Sequence, residues 1–214
     1  MSLSFFYRVP QYGDVAIDTI ALMSSYFSWQ KDIEQQTTYA SSSFEKYCGH
    51  SETELPPSEV LEYYRPFWDR RVENEDVCAY QCWGFFEQLF RMGKAYQIPF
   101  WIMRNVCHTD KLPSEQYIRF SRDQLEQLLF DCQIVRRYGI SFVEKGEFDW
   151  HRYNVNAAVC DSVLPMMKYE GNYLAPYYYD SNYANEIVYL IRALNEILAT
   201  TNFSKEAIYY RLGK

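Results

Sequence analysis

Glu75-Asp76-Val77-Cys78-Ala79-Tyr80-Gln81-Cys82-Trp83-Gly84-Phe85-Phe86-Glu87-Gln88-Leu89-Phe90-Arg91-Met92-Gly93-Lys94-Ala95-Tyr96 is the stretch on which the fold class turns. Taken at helical spacing, Cys78, Cys82, Phe85, Leu89, Met92 and Tyr96 fall on one seam. Ala79, Trp83, Phe86 and Phe90 fall on a second seam beside it. Two adjacent apolar seams describe a helix buried over much of its girth. Asn74 suits the N-cap, and Glu75 and Asp76 suit the positive end of the helix dipole. Gly84 and Gly93 count against a helix, because glycine weakens a helix interior. Pro99 ends the element or bends it into the apolar run that follows. The spacing therefore predicts a central helix over 75–97.

The flanks are read in the same way. Residues 14–30 carry a broad apolar face through Val15, Leu22, Tyr26 and Trp29, with Ile20, Met23 and Phe27 beside it. A weaker helix is predicted over 33–48, closed by Gly49. Pro56-Pro57 marks a loop, after which Ser58 caps a short helix that Pro66 interrupts or kinks. Ser121-Arg122-Asp123-Gln124 is a capping box opening a helix through Leu125, Leu128, Leu129, Cys132 and Val135, with Gly139 as its stop. The period then changes: residues 140–143 and 147–151 flank Lys145-Gly146 as a β-hairpin. A further helix is predicted within 154–168, a tyrosine-rich loop over 171–180, and an amphipathic helix over 183–200. Ser204 caps a last short helix ending at Gly213. The fold predicted is mainly α, an irregular helical domain with one small β-hairpin near 140–151. It is read as one domain over 1–214, with candidate lobes at 1–138 and 139–214.

Composition narrows the classes. The 214 residues are 48% hydrophobic and 23% charged, which excludes a disordered chain. Formal net charge is −7, so the electrostatic footprint of a nucleic-acid binder is missing from the chain as a whole. The acidity is concentrated in residues 1–60, which carry 8 acids against 3 bases. No uninterrupted apolar run of about 18 residues is present, so no membrane association is expected. The first residues lack a charged region followed by an apolar stretch, so no secretory signal is read there. Six scattered cysteines without such a signal are expected to be reduced thiols in the cytoplasm. The unusual count is tyrosine, 21 residues beside 14 Phe and 5 Trp. Such a chain either packs a polar-rimmed aromatic core or displays aromatics at a binding surface.

Four groups of residues invite chemistry. Cys78 and Cys82 have a metal-ligand spacing, but both fall on the predicted core seam and are read as packing residues. Glu147, Asp149 and His151 alternate along a predicted strand; Asp149 with His151 is the best acid–base pair the sequence offers an enzyme. Tyr63-Tyr64-Arg65-Pro66-Phe67-Trp68-Asp69-Arg70-Arg71 interleaves aromatics with arginines. Arg65, Trp68, Arg70 and Arg71 could hold a single-stranded nucleic acid or a phosphorylated ligand, or else form a buried aromatic cluster with arginine stacked on a ring or paired to Asp69 and Glu62. Tyr177, Tyr178 and Tyr179 follow Pro176 on an irregular segment and are candidates for an exposed anchor.

The C-terminal region pairs the predicted helix 183–200 with a second one after a short turn. Its run of Ser204, Ile208, Tyr209 and Leu212 looks like the recognition helix of bacterial helix-turn-helix proteins. The resemblance implies a DNA-binding use of 183–212. The alternative reading is an αα-hairpin that closes the domain.

Glycine-rich nucleotide loops, the nucleophile-elbow pattern and the zinc-protease motif are all missing from the sequence. With three histidines, neither a metal nor another cofactor is expected. The leading expectation is a cytoplasmic regulatory or accessory protein that acts by binding another protein. Second stands an enzyme using Asp149 and His151, and third a DNA-binding regulator.

Overall fold

The computed structural model describes residues 3–73, 82–83, 85–93, 97–108, 116–143, 152–165, 179 and 181–212. In chain order the elements are β1 (Leu3–Pro10), α1 (Ile17–Glu34), α2 (Phe44–Cys48), α3 (Ser58–Glu73), β2 (Cys82–Trp83), β3 (Phe86–Gly93) and α4 (Gln97–Ile102). There follow β4 (Tyr117–Phe120), α5 (Arg122–Ile134), β5 (Ile140–Val143), β6 (Arg152–Val155), α6 (Ala157–Val163), α7 (Ser181–Thr200) and β7 (Glu206–Leu212). Wider π-helical turns continue α4 over Met103–Cys107 and α5 over Val135–Gly139. Helix predominates over strand among the described residues.

Strand is nevertheless more than one hairpin. A five-stranded sheet has the order β2-β3-β1-β7-β4, and β5 and β6 form a separate pair. The predicted central helix over 75–97 is corrected accordingly: Phe86–Gly93 is a strand, paired antiparallel to β2 with Trp83 opposite Phe86. A run rich in aromatics and bounded by glycines satisfies either period, and the deciding factor is the neighbouring strands that take up its N–H and C=O groups. Cys82 lies in β2, whereas Cys78 falls outside the described residues.

A second correction concerns the C-terminus. Glu206–Leu212 is the strand β7, flanked in the sheet by β1 and β4. Ala207, Ile208, Tyr209 and Tyr210 are buried in succession, the pattern of a strand covered on both faces. Among the described residues no second helix follows α7, so the predicted helix-turn-helix has no recognition element. The turn instead closes locally, through Asn202 Oδ1 accepting from the Ser204 amide at 3.2 Å and from its hydroxyl at 2.7 Å.

The predicted hairpin has its first strand where expected, and its second is β6, residues 152–155. Ile140 lies opposite Val155 and Val143 opposite Arg152. Strands β1 and β4 are additions to the sequence reading. The weak helix expected over 33–48 is two pieces: α1 runs to Glu34, and α2 is a single turn capped by the Ser43 side chain. Gly49 closes α2 at φ 80°, a left-handed conformation that glycine adopts without strain. Pro66 does not end α3, which runs on to Glu73.

Two compact units divide the chain: Phe6–Leu89 with Asn202–Tyr209, and Met1–Phe5 with Phe90–Thr201 and Tyr210–Lys214. Neither unit has a boundary at 138/139.

In the unit holding α1–α3, the core is aromatic. Ile20, Met23 and Phe27 on α1 and Val60, Tyr64 and Trp68 on α3 are buried at helical spacing. Phe85 lies among them, 5.8 Å from Phe27, 5.1 Å from Tyr64 and 5.8 Å from Trp68 between ring centres. In the other unit, Leu125, Leu128 and Cys132 of α5 and Ile187, Leu190, Leu194 and Ile197 of α7 are buried. Trp101 stacks on Phe120 at 6.1 Å, and its indole N–H donates to Asp131 at 2.7 Å. No helix among the described residues is long and apolar enough to cross a membrane.

Candidate functional site

A groove of about 270 Å³ lies between α1 and α3, lined from both helices. Phe27 and Gln30 line it from α1, and Ser58, Leu61, Glu62 and Arg65 from α3. Tyr26 and Pro66 complete the lining. The same helical spacing that buries Ile20, Met23 and Phe27 leaves Tyr26 and Gln30, four residues apart, on the shoulder of the buried face. On α3, Arg65 follows the buried Tyr64 and stands on the corresponding shoulder.

Arg65 carries the electrostatics of the groove. Its guanidinium carbon lies 4.3 Å from the centre of the Phe27 ring, a cation–π contact that half-buries the charge. It also donates to the Gln30 side-chain oxygen. The Gln30 amide nitrogen in turn donates to the Tyr26 hydroxyl oxygen at 2.7 Å. No carboxylate lies within ion-pairing distance of Arg65 among the described residues. The Tyr26 ring is held from behind by Phe44 of α2, edge-on at 5.4 Å. Pro66, also on this wall, has no N–H to return to the Glu62 carbonyl one turn earlier.

Of the residues singled out from sequence, Arg65 therefore lines the groove. Trp68 sits behind it as core, 6.1 Å from Phe27 between ring centres. Arg70 and Arg71 belong to α3, with side chains outside the described set. Asp149, His151, Tyr177 and Tyr178 lie outside the described residues. Tyr179 is half-buried; its hydroxyl donates to Asp161 and its ring meets Tyr183 edge-on at 4.9 Å. Arginine stacked on a ring is one of the alternatives that the 63–71 run offers, and Arg65 on Phe27 is such a contact. Sequence reading missed the part played by Tyr26 and Gln30, and the pairing with Asp69 or Glu62 that it offered is not made by Arg65 among the described residues. The 26/30 spacing shows that Tyr26 and Gln30 share a helix face, but nothing local places them beside Arg65.

Two other places were candidates for chemistry. Cys132, Cys160 and Tyr183 are all buried in the second unit. Burial pushes both thiols above the ordinary cysteine range, although the Tyr183 hydroxyl pulls Cys160 partly back. Thiols held neutral are poor nucleophiles and poor metal ligands. An open hollow of about 400 Å³ runs along α7 beside Tyr189 and Arg192, but its described lining comes from one helix alone. No group of three or more His, Cys, Asp or Glu among the described residues is placed to hold a metal ion.

Comparison of the chain with models of protein families, with curated proteins and with solved structures gives no match.

Proposed function

We propose that the chain is a non-catalytic interaction module, which docks a segment of another protein in the groove between α1 and α3. The observation that carries this reading is Arg65: a guanidinium placed over an aromatic ring, facing an open groove, with no carboxylate paired to it among the described residues. A charged group held rigid and left unneutralised is what an interface anchor requires, since little side-chain freedom remains to be lost on binding. The apolar sides of Leu61 and Pro66 supply contact area next to it. The cytoplasm is proposed as its setting on the scatter of the six cysteines along the sequence.

The test is selection from a random peptide display library on the whole chain, followed by binding to a groove-filled variant, Ser58→Trp. Ser58 is exposed and lines the groove, so the indole fills it from the solvent side. Peptides that use the groove lose at least about tenfold in affinity, equivalent to ~1.4 kcal/mol. Enriched peptides that bind Ser58→Trp as well as the native chain overturn the reading.

A further inference from the structure

We infer that the anchor point of this groove takes the carboxylate of an Asp or Glu side chain carried by the docked segment. The inference rests on the interaction-module reading and gives its partner a chemistry.

The argument is a proton count. An arginine side chain is donor-only, so the Gln30 oxygen must be the atom that faces Arg65. The Gln30 NH₂ therefore faces Tyr26, and the Tyr26 oxygen is an acceptor in that bond. The hydroxyl proton of Tyr26 is left over, with no acceptor for it among the described residues. The remaining N–H groups of Arg65 are left over as well. Two unused donors thus stand at the two ends of one carboxamide, which holds them in fixed relation. A carboxylate offers two oxygens with about four lone-pair sites and can take both donors together.

The rest of the groove selects among anions. Glu62 is on the wall with Arg65, and residues 1–60 are strongly acidic. A phosphate carries about −1.5 to −2 charge near neutral pH and meets more repulsion there than a singly charged carboxylate. The same negative surroundings give no long-range attraction to a free anion. The carboxylate must then be delivered by a chain whose apolar atoms lie on Leu61 and Pro66. Glu62 offers acceptors to a backbone N–H of that chain, which a peptide has and a simple carboxylate lacks.

The experiment uses the ¹⁵N-labelled full chain and two uncharged-ended probes, N-acetyl-glutamate amide and N-acetyl-glutamine amide, at constant ionic strength. The glutamate probe is expected to shift the Arg65 Nε–H and Gln30 side-chain amide signals, and the glutamine probe to leave them in place. Arg65→Gln abolishes the response. Tyr26→Phe, which keeps the ring and removes only the spare donor, weakens it about three- to tenfold. Equal responses to the two probes overturn the inference, as does an unchanged response in Arg65→Gln. Inorganic phosphate displacing the glutamate probe at lower concentration overturns it in favour of a phosphate site. The two proposals fail separately. Selected peptides that need the groove but bind Arg65→Gln as tightly as native remove the carboxylate and leave the module. A glutamate-specific response with no groove-dependent peptide removes the module and leaves the carboxylate site.

Discussion

Arg65 and Phe27 lie 38 residues apart in the chain, and the guanidinium carbon of one sits over the ring of the other, 4.3 Å from its centre. The contact has two sides. Phe27 is a core residue, 1% exposed, whereas Arg65 looks outward to the groove. The core therefore positions the charge, and the charge contributes little to the core. Arg65→Met is expected to lower unfolding free energy by only about 0.5–1 kcal/mol, the range of a partly exposed cation–π contact. Phe27→Ala is expected to cost ~3–5 kcal/mol. Urea denaturation of the two variants measures both. A loss of several kcal/mol in Arg65→Met would make the guanidinium a structural group and not a reserved one.

Tyr64 ties the start of the same unit together. Its buried hydroxyl donates to the Pro10 carbonyl at 3.1 Å and accepts from the Tyr12 amide at 3.2 Å. Tyr64→Phe strands both backbone groups and is expected to cost about 1–3 kcal/mol. Burial also raises the Tyr64 pKa above the ordinary tyrosine value, because the phenolate is the form that burial disfavours. A folded pKa above the unfolded one adds stability that is complete below the unfolded value and lost as pH rises through the folded one. Native protein should therefore lose stability more steeply at alkaline pH than Tyr64→Phe. Parallel curves for the two would refute the assignment.

Gly139 lies against Cys160. A Cβ built at Gly139 would stand 3.1 Å from the Cys160 sulfur and 3.4 Å from a Val159 methyl. Gly139→Ala is expected to destabilise by about 1–3 kcal/mol through overpacking. In a Cys160→Ala background the same change should cost clearly less, since the sulfur is the nearest obstacle. Thermal melts of the four proteins form the cycle; strict additivity would show that the clash is relieved elsewhere.

The turn Glu52–Glu54 gives a pH prediction at the surface. The Glu54 carboxylate accepts from the Ser51 amide at 2.7 Å and approaches His50 Nδ1 at 3.1 Å. The Ser51 bond, and to a lesser degree His50, holds the Glu54 pKa below the ordinary carboxylate value. A depressed folded pKa adds stability above the unfolded value, lost as pH falls through the folded one. A ¹³C titration of the Glu54 carboxyl should have its midpoint below 4.5. His50→Ala should move it only part of the way back; full restoration would make the histidine the main cause.

Removing Glu206–Lys214 separates a surface helix from an interior strand. A recognition helix at the chain end could be deleted with the remainder still folded. Strand β7 lies between β1 and β4, so its deletion should abolish the cooperative thermal transition seen by circular dichroism. A retained sharp transition would contradict the sheet order.

How much was legible follows from where each hydrogen bond goes. The Ser121 capping box is written in four consecutive residues, and the structure closes it with Gln124 N–H on Ser121 Oγ at 3.1 Å and Ser121 N–H on Gln124 Oε1 at 2.8 Å. Gly49 as a helix stop was readable for the same reason. Strand β3 was misread because its aromatic residues keep both periods. Of the groove, Arg65 could be picked out as an arginine among aromatics. Its partner ring and the Gln30–Tyr26 relay could not, because they arrive from another helix.

The sequence by itself determined that helices stand at α1, α5 and α7, with the cap and buried face of α5 and the buried face of α7; on α1 it set Val15, Leu22, Tyr26 and Trp29 ahead of Ile20, Met23 and Phe27, which are the ones buried. An α-helix closes its hydrogen bonds within four residues, so pattern and caps suffice to specify it. Only the tertiary structure decided that 86–93 and 206–212 are strands, since a strand's hydrogen bonds are completed by chain far away in sequence. It also decided that Arg65 rests on Phe27 with no carboxylate paired to it among the described residues. That is a property of two helices packed together, and neither helix carries it alone.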